Sequence, residues 1–143
     1  YWNDPAATAR SFLPDGWFRT GDIGQMDKDG FVTLVDRARN KIISGGENVY
    51  PAEVERCLAD LSGIKDIAVI GLPDSRWGEV VVAVIVTDGA PPTLDAIKSF
   101  CAGRIAGYKH PRRIVLRAAL PRNATGKLLR AQLRDEVERS DGS

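Results

Sequence analysis

Apolar spacing along the chain alternates between strand-like and helical patterns, and it predicts a short series of elements. A brief helical signal at Ala6-Ala7-Thr8-Ala9 stops before the turn Pro14-Asp15-Gly16. Trp17–Thr20 and Gly24–Met26 predict short extended pieces, Asp27-Lys28-Asp29-Gly30 a tight turn, and Phe31–Val35 a strand. A strand over Lys41–Ile43 leads into Ser44-Gly45-Gly46. Pro51 marks a first helical turn with Glu53 and Glu55 near its positive end, and Val54, Leu58 and Leu61 follow at helical spacing. The β-branched runs Ile64–Leu72 and Glu79–Thr87 predict strands, linked through Asp74-Ser75-Arg76-Trp77-Gly78. Thr93 predicts the N-cap of a helix presenting Leu94, Ile97, Phe100 and Cys101. Ile114–Leu116 predicts a short strand. A last helix is expected from near Gly126, carrying Leu128, Leu129, Leu133 and Val137 and ending in the polar tail Ser140–Ser143.

Strands mixed with helices without strict alternation predict an α+β fold, a β-ribbon followed by a small mixed sheet with packed helices. The polar run Asp36–Asn40 predicts a linker between them. At 143 residues the chain suits one domain with an appended piece. Its hydrophobic content of 43% and charged content of 27% are ordinary for a globular protein. No apolar run approaches the ~20 residues that a membrane span needs. The opening Tyr1-Trp2-Asn3-Asp4 has neither an initiating Met nor a signal pattern, and predicts a truncation.

Cys57 and Cys101 lie outside any Cys-x-x-Cys or Cys/His spacing, so no metal site is expected. Both are expected to be buried thiols, which suits a reducing cytoplasm. The net charge of +1 gives no bulk argument for nucleic acid. Arg104, Lys109, Arg112, Arg113, Arg117, Arg122, Lys127 and Arg130 nevertheless follow one another without an intervening acid. That stretch forms either a solvated face or a surface that meets polyphosphate.

Three segments carry the chemistry. In Pro121-Arg122-Asn123-Ala124-Thr125-Gly126-Lys127 a lysine stands beyond small turn residues, where a flexible ammonium can reach a phosphate or carboxylate oxygen. Upstream lie Gly16-Trp17-Phe18-Arg19-Thr20-Gly21-Asp22 and the run from Asp36-Arg37 through Ser44-Gly45-Gly46-Glu47-Asn48-Val49-Tyr50-Pro51. In this order the set resembles the adenylate-forming superfamily, in its C-terminal part and over nearly the whole chain. Ser-Gly-Gly-Glu-Asn-Val-Tyr-Pro with Thr-Gly-Lys is similar to the acyl-CoA synthetase branch, including fatty-acid and aryl-CoA ligases.

The resemblance implies that residues 1–38 are the tail of a large N-terminal domain with the linker, and that residues 39–143 are a C-terminal lid. It implies an ATP-dependent reaction assisted by Mg²⁺, which adenylates a carboxylic acid and then passes the acyl group to CoA. Lys127 matches the catalytic lysine that bridges carboxylate and phosphate during adenylation. Asp22 matches the aspartate that accepts from the ribose hydroxyls, and Arg37 an arginine that contacts the nucleotide. Arg39 falls at the hinge, where relatives usually carry Asp or Lys. Gly45 and Gly46 match residues that leave room for pantetheine, although a tight turn explains them equally well. Trp77, Tyr108, Lys109 and His110 match positions that meet the CoA nucleotide; no proton transfer is assigned to His110, the only histidine. The partners implied are the enzyme's own N-terminal domain, the acid, ATP and CoA, with no nucleic acid. A fatty acyl-AMP ligase and a carrier-loading adenylation domain remain open. The fragment alone is expected to be inactive, at most a nucleotide- or CoA-binding module.

Overall fold

The computed structural model describes residues 1–141 of the chain, which divides into two compact units, Tyr1–Arg39 and a second beginning at Asn40. In the first, helix α1 (Pro5–Arg10) starts where the Asp4 carboxylate accepts from the Ala7 N–H at 2.7 Å. Strand β1 (Asp22–Met26) pairs antiparallel with β2 (Val32–Arg37), with the register slipping between Ile23 and Gly24. Asp27 closes the turn between them, its Oδ1 accepting from the N–H groups of Asp29 and Phe31, both at 2.9 Å. Trp17–Thr20, expected to be extended, contributes only the bridge of Phe18 to Phe12. No residue of this unit is buried, and Met26, Phe31, Val32 and Leu34 are each at least 63% exposed.

The second unit is built on a mixed five-stranded sheet. Strands β3 (Ile42–Ser44) and β4 (Glu47–Val49) form a small hairpin joined to the long hairpin of β5 (Asp66–Asp74) and β6 (Gly78–Val86). The order is β4-β3-β6-β5, and β7 (Arg113–Leu116) runs parallel to β6. Nine consecutive pairs, from Asp66↔Val86 to Asp74↔Gly78, hold the long hairpin together.

Period-two alternation sends successive side chains of β5 and β6 to opposite faces. On one face Val69, Val81, Ala83 and Ile85 pack with Val54 and Leu58 of α2 (Pro51–Leu58) and Ile97 and Cys101 of α3 (Leu94–Cys101). On the other, Ala68, Ile70, Val82 and Val84 meet Leu133 and Val137 of α4 (Arg130–Asp141). Both faces of the two long strands are covered, which is why their sequences are continuous β-branched runs. Helix α3 takes its expected cap, Thr93 Oγ1 accepting from Ala96 N at 3.1 Å. Among the described residues no helix is long and apolar enough to cross a membrane.

Three further expectations change. Helix α4 begins at Arg130, not near Gly126, because Gly126 has φ +81° and Leu129 N donates to Pro121 O, a hairpin bond. Leu128 still packs on the α4 side of the sheet, but from that hairpin. Helix α4 also takes in Ser140 and Asp141, and the remainder of the expected tail, Gly142 and Ser143, lies outside the described residues. Cys101 is buried but Cys57 only half-buried, since it lies beside the Val54–Leu58 stripe at the rim of α2.

Candidate functional site

The candidate residues fall into three groups and the separate segment 108–110. The first closes the ribbon of the first unit. Asp22 and Arg37 are cross-strand partners, so β pairing brings their side chains together, and Arg37 Nη1 lies 2.9 Å from Asp22 Oδ1. The same Nη1 donates to Thr20 O at 3.0 Å, while Thr20 Oγ1 accepts from Asp22 N at 3.1 Å. A carboxylate and a guanidinium are thereby fixed side by side at one end of the ribbon, half-buried and exposed respectively. Such a pair offers acceptors to a diol and donors to a phosphate. Arg39 lies one step further on, exposed, within the 3-10 turn Ala38–Asn40 where the first unit ends.

The second group presents Lys127. The segment 121–129 folds back as a small hairpin, with Leu129 N donating to Pro121 O at 2.8 Å and Asn123 N to Lys127 O at 2.9 Å. Asn123 organises its tip: Oδ1 accepts from Thr125 N at 3.1 Å, Thr125 Oγ1 at 2.8 Å and Lys127 N at 2.8 Å. Lys127 is exposed, and no ion pair of its ammonium is found among the described residues. Arg122 secures the hairpin, donating to Gly126 O at 3.0 Å and to both carboxylate oxygens of Asp66 at 3.0 and 2.8 Å.

The third group surrounds the Gly45-Gly46 turn between β3 and β4, where both residues have positive φ, +60° and +83°. Gly45 N donates to Trp77 O at 2.8 Å, and a Cβ added at Gly45 would stand 2.9 Å from the Trp77 ring. The glycine is required by both its conformation and its neighbour. Beside it the Ser44 hydroxyl is buried and finds no hydrogen-bond partner among the described residues. Trp77 N donates to Asp74 Oδ1 at 2.9 Å, which sets the ring at the turn of the long hairpin. Arg112 stacks on that ring at 3.9 Å and Arg76 lies 5.0 Å from its centroid. Next to them a cavity of about 520 Å³ is lined by Asp74, Trp77, Arg112, Arg113, Glu138 and Asp141 among others. Hydrogen bonding to Arg113 holds the Asp141 carboxyl below its usual range.

Tyr108, Lys109 and His110 leave α3 through the 3-10 turn Gly107–Lys109. Lys109 Nζ pairs with both oxygens of Glu53, at 2.7 and 2.8 Å, and lies 5.7 Å from the centroid of the exposed Tyr108 ring. His110 Nε2 is 3.2 Å from Ile105 O, so that nitrogen donates and the ring closes the turn. Sequence reasoning placed Arg112 and Arg122 only in a basic stretch and Asn123 only within a motif, and passed over Asp66. The Asn-x-Thr spacing of 123–125 was a readable turn signal, whereas Asp66 is 56 positions from Arg122 and left no local trace.

The hairpin β5–β6 sets the second and third groups apart. Arg122 grips Asp66, the first residue of β5, and Trp77 is tied to Asp74, its last. Eight strand steps separate those anchors by about 26 Å. Among the described residues no three His, Cys, Asp or Glu side chains gather as a metal site.

Residues 53–127 match the AMP-binding enzyme C-terminal domain. The chain is 47% identical over 136 residues to a long-chain-fatty-acid–CoA ligase of Mycobacterium tuberculosis, covering 95% of this chain and 27% of that protein. It is 49% identical over 142 residues to an indoleacetate–CoA ligase of Aromatoleum aromaticum, covering 97% and 27%. Among solved structures, the o-succinylbenzoate CoA synthetase of Bacillus subtilis, in complex with its acyl-adenylate intermediate, superposes with a TM-score of 0.87 at 42% identity. That match covers 94% of this chain and 28% of the synthetase. The chain thus spans a little over a quarter of the length of these relatives. The motif order, the mixed sheet and the matched residues agree, and the chain belongs to the AMP-binding enzyme C-terminal domain family of the adenylate-forming acyl-CoA ligases.

Proposed function

We propose that this chain is the C-terminal portion of an AMP-forming acyl-CoA ligase of the cytoplasm, with residues 39–143 as a lid turning about Arg39. In the first half-reaction a carboxylate oxygen attacks the α-phosphate of ATP and pyrophosphate leaves. Lys127 places its charge between these two anions, whose repulsion otherwise opposes the attack. Asp22 accepts from the ribose hydroxyls and Arg37 meets the nucleotide from the adjacent strand. In the second half-reaction the CoA sulfur attacks the acyl carbon and AMP leaves. Gly45 and Gly46 then leave room for the pantetheine arm, while Trp77, Tyr108, Lys109 and His110 line the nucleotide of CoA. Lys109 does so with its charge already matched by Glu53, so its part is the weaker. Mg²⁺ supplies charge neutralisation on the phosphates of ATP; no described cluster suits it, and its ligands are assigned to the N-terminal domain.

The observation that carries this reading is the separation of Lys127 from the Gly45–Trp77 group along β5–β6. One rigid sheet bears two working ends, too far apart to serve one reacting centre together. A lid that exchanges them by rotation accounts for that spacing. The exposed apolar side chains of the first unit support its assignment to a larger N-terminal domain.

AMP and pyrophosphate release by the complete enzyme, measured across short-, medium- and long-chain and aromatic acids with and without CoA, tests the reading. CoA-dependent AMP release with one acid class is expected. Pyrophosphate release indifferent to CoA would point instead to an adenylate-only or carrier-loading enzyme.

A further inference from the structure

We infer that Arg122 is a positioning residue for Lys127, an inference that rests on the proposed adenylation role of that lysine. A lysine side chain is a flexible four-carbon stem, so where its ammonium acts depends on where the backbone beneath it is held. The bonds around Asn123 shape the tip of the 121–129 hairpin, but they are internal and do not fix it to the sheet. Arg122 does both jobs through one planar group. Its Nη1 donates to the carbonyl of Gly126, the residue preceding Lys127, and its Nη2 donates to both oxygens of Asp66. Asp66 opens β5 opposite Val86, in the nine-pair ladder of the long hairpin. The chain of support runs from that ladder through Asp66 and Arg122 to the peptide that carries Lys127.

Arg130 closes the other side of the hairpin. It donates to Glu55 at 2.6 Å and to Val69 O, so the segment is held at both ends, but Arg130 does not touch the tip. Among the described residues, the hydrogen bonds that join sheet and tip are those of Arg122. A lysine at position 122 keeps the charge yet lacks the fork that reaches both acceptors at once.

The test is a comparison of half-reactions in the complete enzyme, using Arg122→Ala, Arg122→Lys, Asp66→Asn and, as reference, Lys127→Ala. Loosening the lysine by about an ångström is expected to lower the adenylation kcat roughly tenfold to a hundredfold. The KM for ATP should stay nearly constant, and thioester formation from supplied acyl-adenylate should keep its rate. Arg122→Ala combined with Asp66→Asn should cost little more than Arg122→Ala alone, because the two act through one contact. If Arg122→Ala misfolds by circular dichroism, Arg122→Lys and Asp66→Asn carry the same expectation. Unchanged adenylation, or equal loss in both half-reactions, overturns the positioning role while Lys127→Ala still reports the functional reading. Absence of adenylation by the unmodified enzyme overturns both.

Discussion

A methyl group at Gly45 would meet the Trp77 ring at 2.9 Å, whereas one at Gly46 would meet nothing within 4 Å, although both residues have positive φ. Gly46→Ala therefore carries conformational strain alone, about 1 kcal/mol. Gly45→Ala adds a clash of about 1–3 kcal/mol to the same strain, about 2–4 kcal/mol in all, while displacing the indole. Urea denaturation of the two variants checks the order, and tryptophan fluorescence should shift for Gly45→Ala only. The buried Cys101 thiol makes a second residue-scale prediction. Burial, with Cys57 4.0 Å away, pushes its pKa up to about 12, against 9.0 for the free group. The folded chain thus keeps a proton that the unfolded chain releases, so this contribution is complete below pH 9 and is lost as pH rises toward 12. Between about pH 8 and pH 10 stability should fall by roughly 1 kcal/mol more in the parent chain than in Cys101→Val, measured by denaturant unfolding.

At the scale of elements, the outer edge of β5 is closed by side chains from two helices. Glu55 of α2 accepts from Val69 N at 2.7 Å, and Arg130 of α4 donates to Val69 O and to Glu55 itself. A carboxylate and a guanidinium take the place of a neighbouring strand, and the edge no longer offers this residue for pairing. Glu55→Leu should expose the Val69 amide to rapid hydrogen exchange and cost about 1–3 kcal/mol, because the acceptor disappears while the donor and Arg130 remain. The sequence showed Glu55 only as an acid near a helix start; its bond to a residue fourteen positions away follows from tertiary packing. The two long strands and α3 were legible because β-branched runs and a Thr N-cap are local signals. The start of α4 was misread because Leu128 and Leu129 continue its apolar spacing across a hairpin that ends at Leu129. The Asp22–Arg37 contact was legible as two motif positions, but their pairing depends on a β1–β2 register that includes a slip.

For the whole molecule, every buried hydrophobic side chain of both core clusters lies between Ile42 and Val137, and the first unit buries none. A fragment beginning at Asn40 should therefore unfold cooperatively, with a denaturant midpoint near that of the whole chain; calorimetry and urea titration check this. The candidate residues could be named one by one from three ordered motifs, since each motif is short and contiguous. The resemblance implied a lid with two working faces, but their placement at the two ends of one hairpin was not readable, because that depends on Asp66 and Asp74 standing eight strand steps apart with different loops fastened to each. The central claim is that the two ends serve successive reactions, and Lys127→Ala in the complete enzyme tests it most directly. Pyrophosphate release with acid and ATP should fall roughly a hundred- to thousandfold, while CoA thioester formation from supplied acyl-adenylate proceeds at the parent rate. Equal loss of both half-reactions would contradict the account.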